Sequence, residues 1–371
     1  MRINNTDRVS FYEKQMALLL GSEMSGRCFL VFILILSSFL GLQGYAADTA
    51  VVLMYHRFGE DRYPETSIKI EQFESQLELL KREGFSVVGL SDLLNSLTKG
   101  EPLPPNAVVI TIDDAYRSIY EVAYPRLREY GFPFTVFVST DAVDSRFPAY
   151  LSWDQMTEMA RGGATYANHG ASHISMITRL DGESDEDRIN RVVEDVKKGR
   201  ARLSNELRPI PNAFAYPYGE FDGKIAEELQ KMGYVCFGQH SGAVGPDSDQ
   251  RAIPRFAVAE AYADIDEFRI KVRSLPMPVA ALTPREPVVT ENPPEIEVTL
   301  GEGNIRTGEL TCFVGGQGRV PIRWIEEGKR FSVVPKQALG PGRHRVNCTV
   351  PRNDGRYYWF SHPWFVESSG E

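Results

Sequence analysis

The chain has 371 residues, 42% apolar and 25% charged, with a formal net charge of −9. That length exceeds one ordinary domain, and the composition excludes a disordered chain, so two domains with real cores are expected. The acidic balance argues against a nucleic-acid partner, because proteins that grip a phosphate backbone carry a basic face.

The first recognisable element is "MSGRCFLVFILILSSFLGLQGYAADTA", from Met24 onward. It places Arg27 before an apolar run over 28–42 and then reaches Gly44, Ala46 and Ala47, the order of parts in a secretory signal. The run is shorter than the roughly 20 residues of a membrane span. Residues 1–46 are therefore expected to be an N-terminal extension and signal, cleaved after Ala46 or Ala47. No stable membrane span should remain, and the mature chain should be periplasmic or extracellular. Met24 would be a more usual start for such a signal.

From 47 to 274, short apolar runs alternate with helical patterns, the signature of βα units around a parallel sheet. "AVVLMYH" reads as a strand, and "IEQFESQLELLKREGF" follows with Phe73, Leu77 and Leu80 on one helical face and Gly84 as the stop. Next come the strand "NAVVITIDD", a helix over 118–129, the strand "FPFTVFVST", a helix through "SWDQMTEMAR" and the strand "GATYANH". A long helix over 185–207 repeats Ile189, Val192, Val196, Leu203 and Leu207 at helical spacing. The strand "NAFAYPYG", a helix over 222–232 and the strand "YVCFG" complete the series. This pattern fits a barrel or an open doubly wound sheet. The barrel is favoured because polar clusters follow four of the strands directly, and the C-terminal ends of barrel strands share one rim.

Residues 275–295 are proline-rich and read as a semi-rigid linker. From 296 to 371, short β-type runs separated by Gly, Asn and Pro turns predict a small all-β domain, an immunoglobulin-like sandwich. Cys312 and Cys348 both fall there and are the natural disulfide pair, worth roughly 3–4 kcal/mol in the chain-entropy model. Cys236 reads as a buried thiol. The aromatics of "GRYYWFSHPWFV" read as a core strand before a sugar-stacking surface.

The chemistry-bearing residues fall on the rim. Asp113 and Asp114 are adjacent at a strand end and point in different directions, so one can hold a cation while the other faces a reacting water. His169 and His173 lie four positions apart, and imidazole is the commonest zinc-binding nitrogen. Two histidines and one carboxylate leave a coordination position open, the arrangement of a catalytic metal site. The chain contains only six histidines, so two of them at a predicted rim favour Zn²⁺, or another divalent transition metal, over chance.

In this order, "TIDDA", "NHGASH" and "FAYPYG" resemble the first three motifs of the NodB-type polysaccharide deacetylases, carbohydrate esterase family 4. "VLMYHRF", "IEQFESQLELLKREGF" and "LSWDQM" extend the resemblance over about 50–260. It implies a deformed (β/α) barrel and hydrolysis of N-acetyl groups on a polymeric amino sugar. It also implies Asp113 as general base and Asp114, His169 and His173 as metal ligands. Pro217 and Tyr218 would form the groove wall, with the Tyr218 backbone N–H holding the oxyanion. The chain departs from the family in three ways. No arginine precedes the third motif, Gly170 stands where the family prefers Ser or Thr, and no late strand supplies the histidine acid. His240 and His56 are the candidates for that acid. These departures keep open a sugar-binding protein with impaired turnover, and a metal-dependent hydrolase of another amide or ester.

Overall fold

A computed structural model describes residues 48–367. The signal-like segment lies outside the described residues. Among those described, nine strands form one curled sheet. In chain order they are β1 (Ala50–Tyr55), β2 (Ser86–Val88), β3 (Ala107–Asp113), β4 (Phe134–Val138), β5 (Ala164–Asn168), β6 (Ala213–Ala215), β7 (Val235–Phe237), β8 (Ala243–Val244) and β9 (Phe256–Ala257). The order is β8-β1-β3-β4-β5-β6-β7, with β2 also on β3 and β9 also on β1. All pairings except β1 with β8 are parallel.

The hydrophobic pattern explains the layers. β1 and β3 are buried along their whole length, as unbroken apolar runs are when both faces of a parallel sheet are covered. Helix α1 (Ile70–Arg82) buries Phe73, Leu77 and Leu80, the face its periodicity marked, and α2 (Trp153–Arg161) buries Met156 and Met159. The long helix α3 (Asp185–Glu206) buries Val192, Val196 and Leu203, and α4 (Gly223–Lys231) starts on the Asp222 cap. The helix expected over 118–129 instead begins as a π-helical turn at Ile119–Ala123 and becomes α-helical over Tyr124–Tyr130.

The gap between β7 and β1 is narrowed by the segment 250–258 rather than by a full strand. Ile253 bridges Phe237, its N–H donating to Cys236 O at 2.7 Å, and Phe256 and Ala257 then pair with Leu53 and Met54. This segment carries Arg255 into the barrel, a consequence taken up below. Cys236 is buried and unpaired, and burial pushes its thiol up to about 12.

The proline-rich stretch is not the linker its composition suggests. Leu275–Pro276 (β10) and Val279–Thr283 (β11) are strands at sheet edges, where a proline is tolerated, and the second run is itself free of proline. The strands that follow in this region are β12 (Ile296–Leu300), β13 (Thr311–Val314), β14 (Gly318–Val320), β15 (Ile322–Glu326), β16 (Arg330–Val333), β17 (Gly342–Pro351) and β18 (Tyr357–Val366). They form two sheets, β10-β18-β17-β13-β14 and β11-β12-β16-β15. The Cys312–Cys348 disulfide joins directly opposed residues of β13 and β17. It therefore staples neighbours in one sheet, whereas the immunoglobulin hallmark is a bridge between sheets.

This β-region docks directly on the barrel. Trp359 of β18 meets Phe256 edge-on at 5.0 Å between ring centroids, and Phe365 meets Phe221 at 5.9 Å. Trp364 and Phe365 of "GRYYWFSHPWFV" are buried, while Tyr357, Tyr358, Trp359 and Phe360 are half-buried.

Candidate active site

Asp113 is the last residue of β3 and is fully buried, and Arg255 is equally buried beside it. The guanidinium makes a bidentate contact, Nη1 to Oδ1 at 2.8 Å and Nη2 to Oδ2 at 2.7 Å, while Nε donates to Gly238 O at 2.9 Å. Burial alone would raise the Asp113 pKa, but the charge and hydrogen bonds of Arg255 outweigh it and hold the carboxyl below its ordinary value. Although no arginine precedes the third motif, Asp113 thus has a guanidinium partner from the segment that closes the barrel.

Beyond β3 the chain turns sharply, with φ of 73° at Asp114 and 57° at Ala115. The turn aims Asp114 away from Asp113 and toward the loop after β5. Asp114 Oδ1 lies 3.2 Å from His169 Nε2 and 3.1 Å from His173 Nε2. His169 Nδ1–H donates to Ala215 O at 2.7 Å, which leaves the Nε2 lone pair facing the cluster. Asp114 Oδ1 and His169 Nε2 are nevertheless buried without a hydrogen-bond partner. Buried polar atoms rarely stay unsatisfied, so three convergent ligand atoms, two of them buried with unmet capacity, fit a divalent cation. Among the described residues, this is the His/Cys/Asp/Glu cluster that could hold a metal ion.

The histidine loop is braced from behind. Asp195 of α3 accepts from Ala171 N at 2.9 Å, from Ser172 N at 3.0 Å and from the Ser172 hydroxyl. Gly170 has φ of +80°, and a Cβ there would come within 2.6 Å of Asp195 Oδ2. A Ser or Thr at 170 would clash with that brace, which accounts for the glycine. Asp195→Ala should weaken divalent-ion affinity by about 10–100-fold, as loss of outer groups that orient metal ligands does. Calorimetric titration of the metal-stripped protein with Zn²⁺ reads this directly. Unchanged affinity would reduce Asp195 to a loop brace of no consequence for the ion.

Around the cluster stand the groove residues. Tyr218, exposed at 40% and held at φ of 59°, packs its ring edge-on to His173 at 4.5 Å, and Pro217 is buried beneath the same turn. Tyr116 stacks on Tyr150 at 5.3 Å with Arg57 above it at 3.4 Å, and Phe147 projects nearby, 62% exposed. Of this aromatic rim only Tyr218 stood out in the sequence; Tyr116, Phe147 and Tyr150 are scattered singly there.

The two candidate acids separate. His56, at the end of β1, interacts electrostatically with Asp113, Asp114, Arg255 and His169. Burial lowers its pKa, and the two carboxylates oppose that shift. His240 instead lies in a cleft of about 830 Å³ along the seam between barrel and β-region, with His362 in the same wall. Burial, His362 and Arg345 push its pKa down to about 3. Its backbone carbonyl accepts from Arg255 N–H at 2.8 Å, and neither it nor His56 belongs to the Asp114–His169–His173 cluster.

Comparison with known proteins follows this geometry. Residues 100–237 match the family model described as polysaccharide deacetylase. The chain is 26% identical over 259 residues to the poly-beta-1,6-N-acetyl-D-glucosamine N-deacetylase of Escherichia coli K12, an alignment covering 60% of this chain and 38% of that protein. The enzyme of the same name from Staphylococcus epidermidis is 26% identical over 234 residues, covering 58% of this chain and 81% of that one. Among solved structures, IcaB from Ammonifex degensii superposes with a TM-score of 0.53 at 27% identity, covering 60% of this chain and 97% of that chain. The Streptococcus pyogenes deacetylase PplD gives 0.52 at 21% identity, covering 58% and 94%, a likeness of fold. The chain thus spans little more than a third of the E. coli relative's length. The DD, H-x3-H and PY elements all lie inside residues 100–237, the stretch that matches the polysaccharide deacetylase family model.

Proposed function

We propose that this chain is a metal-dependent hydrolase that removes N-acetyl groups from an exported amino-sugar polymer, with a poly-β-1,6-N-acetylglucosamine as the class to test first. The observation that carries the proposal is the convergence of Asp114 Oδ1, His169 Nε2 and His173 Nε2 beside the Asp113–Arg255 pair.

Asp114, His169 and His173 would hold the ion, Zn²⁺ or another divalent transition metal. When bound, such an ion supplies Lewis-acid polarisation of the acetyl carbonyl and eases deprotonation of water. Asp113, kept ionised by Arg255, accepts the proton of the attacking water. The backbone N–H of Tyr218 donates to the oxygen that becomes anionic as the carbonyl carbon turns tetrahedral. His56, which couples electrostatically to Asp113 and Asp114, relays to the departing amine the proton that Asp113 took from water, so that acetate and a free amino sugar leave. Pro217, Tyr218 and the Tyr116–Tyr150 pair wall the groove, offering the aromatic faces on which sugar rings pack.

The region 47–274 is the catalytic unit in this reading, with 275–295 joined to the β-unit of 296–371. Export is supported by the signal-like segment and by the Cys312–Cys348 bridge, which persists in oxidising compartments. No described helix is long and apolar enough to cross a membrane.

The test is acetate release from a panel containing poly-β-1,6-N-acetylglucosamine, chitin oligomers and peptidoglycan, with and without chelator. Chelator-sensitive release from a glycan supports the reading. Release from none, by metal-replete protein, favours the sugar-binding alternative, and release only from non-sugar esters or amides favours a hydrolase of another class. The motive for an impaired enzyme weakens with Arg255, since the base has its cationic partner.

A further inference from the structure

We propose that Arg343 of the β-region is a positioning residue for the Tyr218 turn, so that the C-terminal unit forms part of the catalytic groove. The inference rests on the deacetylase reading above. Arg343 lies on β17, cross-strand from Phe365, and Phe365 packs against Phe221 of the barrel, three residues after Tyr218. The strand pair is thereby anchored beside the turn. From that anchor, Arg343 Nη1 donates to Tyr218 O at 3.1 Å, and the guanidinium carbon lies 5.5 Å from the Tyr218 ring centre.

Tyr218 needs such a restraint. Its φ of 59° is in the left-handed region, where a residue bearing a bulky side chain stays only if its surroundings impose it. Two neighbours on the barrel side contribute. The ring packs on His173, and a Cβ at Gly219 would sit 2.7 Å from the Gln239 side chain, showing how closely Gln239 underlies the turn. The β-region holds that support as well, through Arg345 Nη1 to Gln239 O at 3.4 Å. Two arginines one strand-repeat apart therefore reach from β17 to both layers of the turn. Among the described residues Arg343 enters no ion pair, and it is exposed, so its contact with Tyr218 is not a by-product of a surface salt-bridge network.

The same exposure makes the idea testable, because a variant at 343 leaves the cores untouched. Arg343→Ala and Arg343→Lys are compared with wild type in the full chain, by acetate-release kinetics and by hydrogen–deuterium exchange over 216–220. Arg343→Ala should lose roughly tenfold or more in kcat, the scale of small misplacements at a reacting centre. KM should stay within about threefold, since the contact acts on geometry and not on ground-state sugar binding. Exchange at the turn should accelerate while Tm is unchanged, and Arg343→Lys should recover part of both losses. Wild-type kcat in Arg343→Ala overturns the proposal, whether or not exchange changes, and so does a kcat loss accompanied by an unaltered turn. If the wild-type protein releases acetate from no glycan, the deacetylase reading fails. The exchange data then still decide whether Arg343 holds the turn.

Discussion

Asp113→Asn should lower kcat for acetate release by about 10²–10⁴, the range a positioned general base contributes. The substitution is nearly isosteric and keeps an oxygen for Arg255, but it removes the charge that accepts the proton of water. Its side chain points away from the Asp114 cluster, so metal content by elemental analysis should match wild type. His169→Ala, by contrast, should lose the ion and the activity together. Equal metal loss in both variants would mean that Asp113 belongs to the ion site and is not a separate base.

Arg255→Met has the second large effect, and it combines stability with pH dependence. Asp113 and Arg255 are both inaccessible to solvent, and removing one partner of such a pair typically costs about 3–5 kcal/mol because the other charge is left uncompensated. Chemical denaturation reads that loss. The pH profile shifts with it. In the wild type, Arg255 overcomes the burial that would raise the Asp113 pKa, so the base remains ionised below the ordinary carboxylate range. Stability from this depressed pKa is present above the unfolded-state pKa and is lost as pH falls through the folded one. Without Arg255, the largest opposition to burial is gone, leaving His169 and His56, and the pKa rises. The acid limb of kcat/KM should therefore move to higher pH, and Asp113→Asn should abolish the limb altogether. An unmoved acid limb in Arg255→Met would show that another group sets it.

The parts of this protein that were legible in the sequence are those in which local pattern and local chemistry coincide. The alternation of apolar runs and helical faces follows from a sheet covered on both sides, and α1 buries Phe73, Leu77 and Leu80 as its spacing requires. Asp113–Asp114 and His169–His173 were visible as candidates because each pair is close in sequence and follows a strand. Arg255 was not, since it reaches Asp113 across 142 positions and lies in a segment without helical or strand periodicity. The sequence showed only that no arginine precedes "FAYPYG"; that Asp113 has a guanidinium partner at all depends on the fold. His240 and His56 both follow strands, and the sequence does not show that His56 couples to Asp113 and Asp114 while His240 couples to His362 and Arg345. The prolines of 275–295 misled for a related reason. Their number suggested a linker, whereas their placement around Val279–Thr283 permits an edge strand.

The most direct test of the central claim is diffraction from crystals of the protein loaded with Zn²⁺, collected at the zinc absorption edge. The account predicts one anomalous peak bounded by Asp114 Oδ1, His169 Nε2 and His173 Nε2, with Asp113 near but not bonded to it. A peak elsewhere, or full zinc binding retained by His169→Ala, would contradict it.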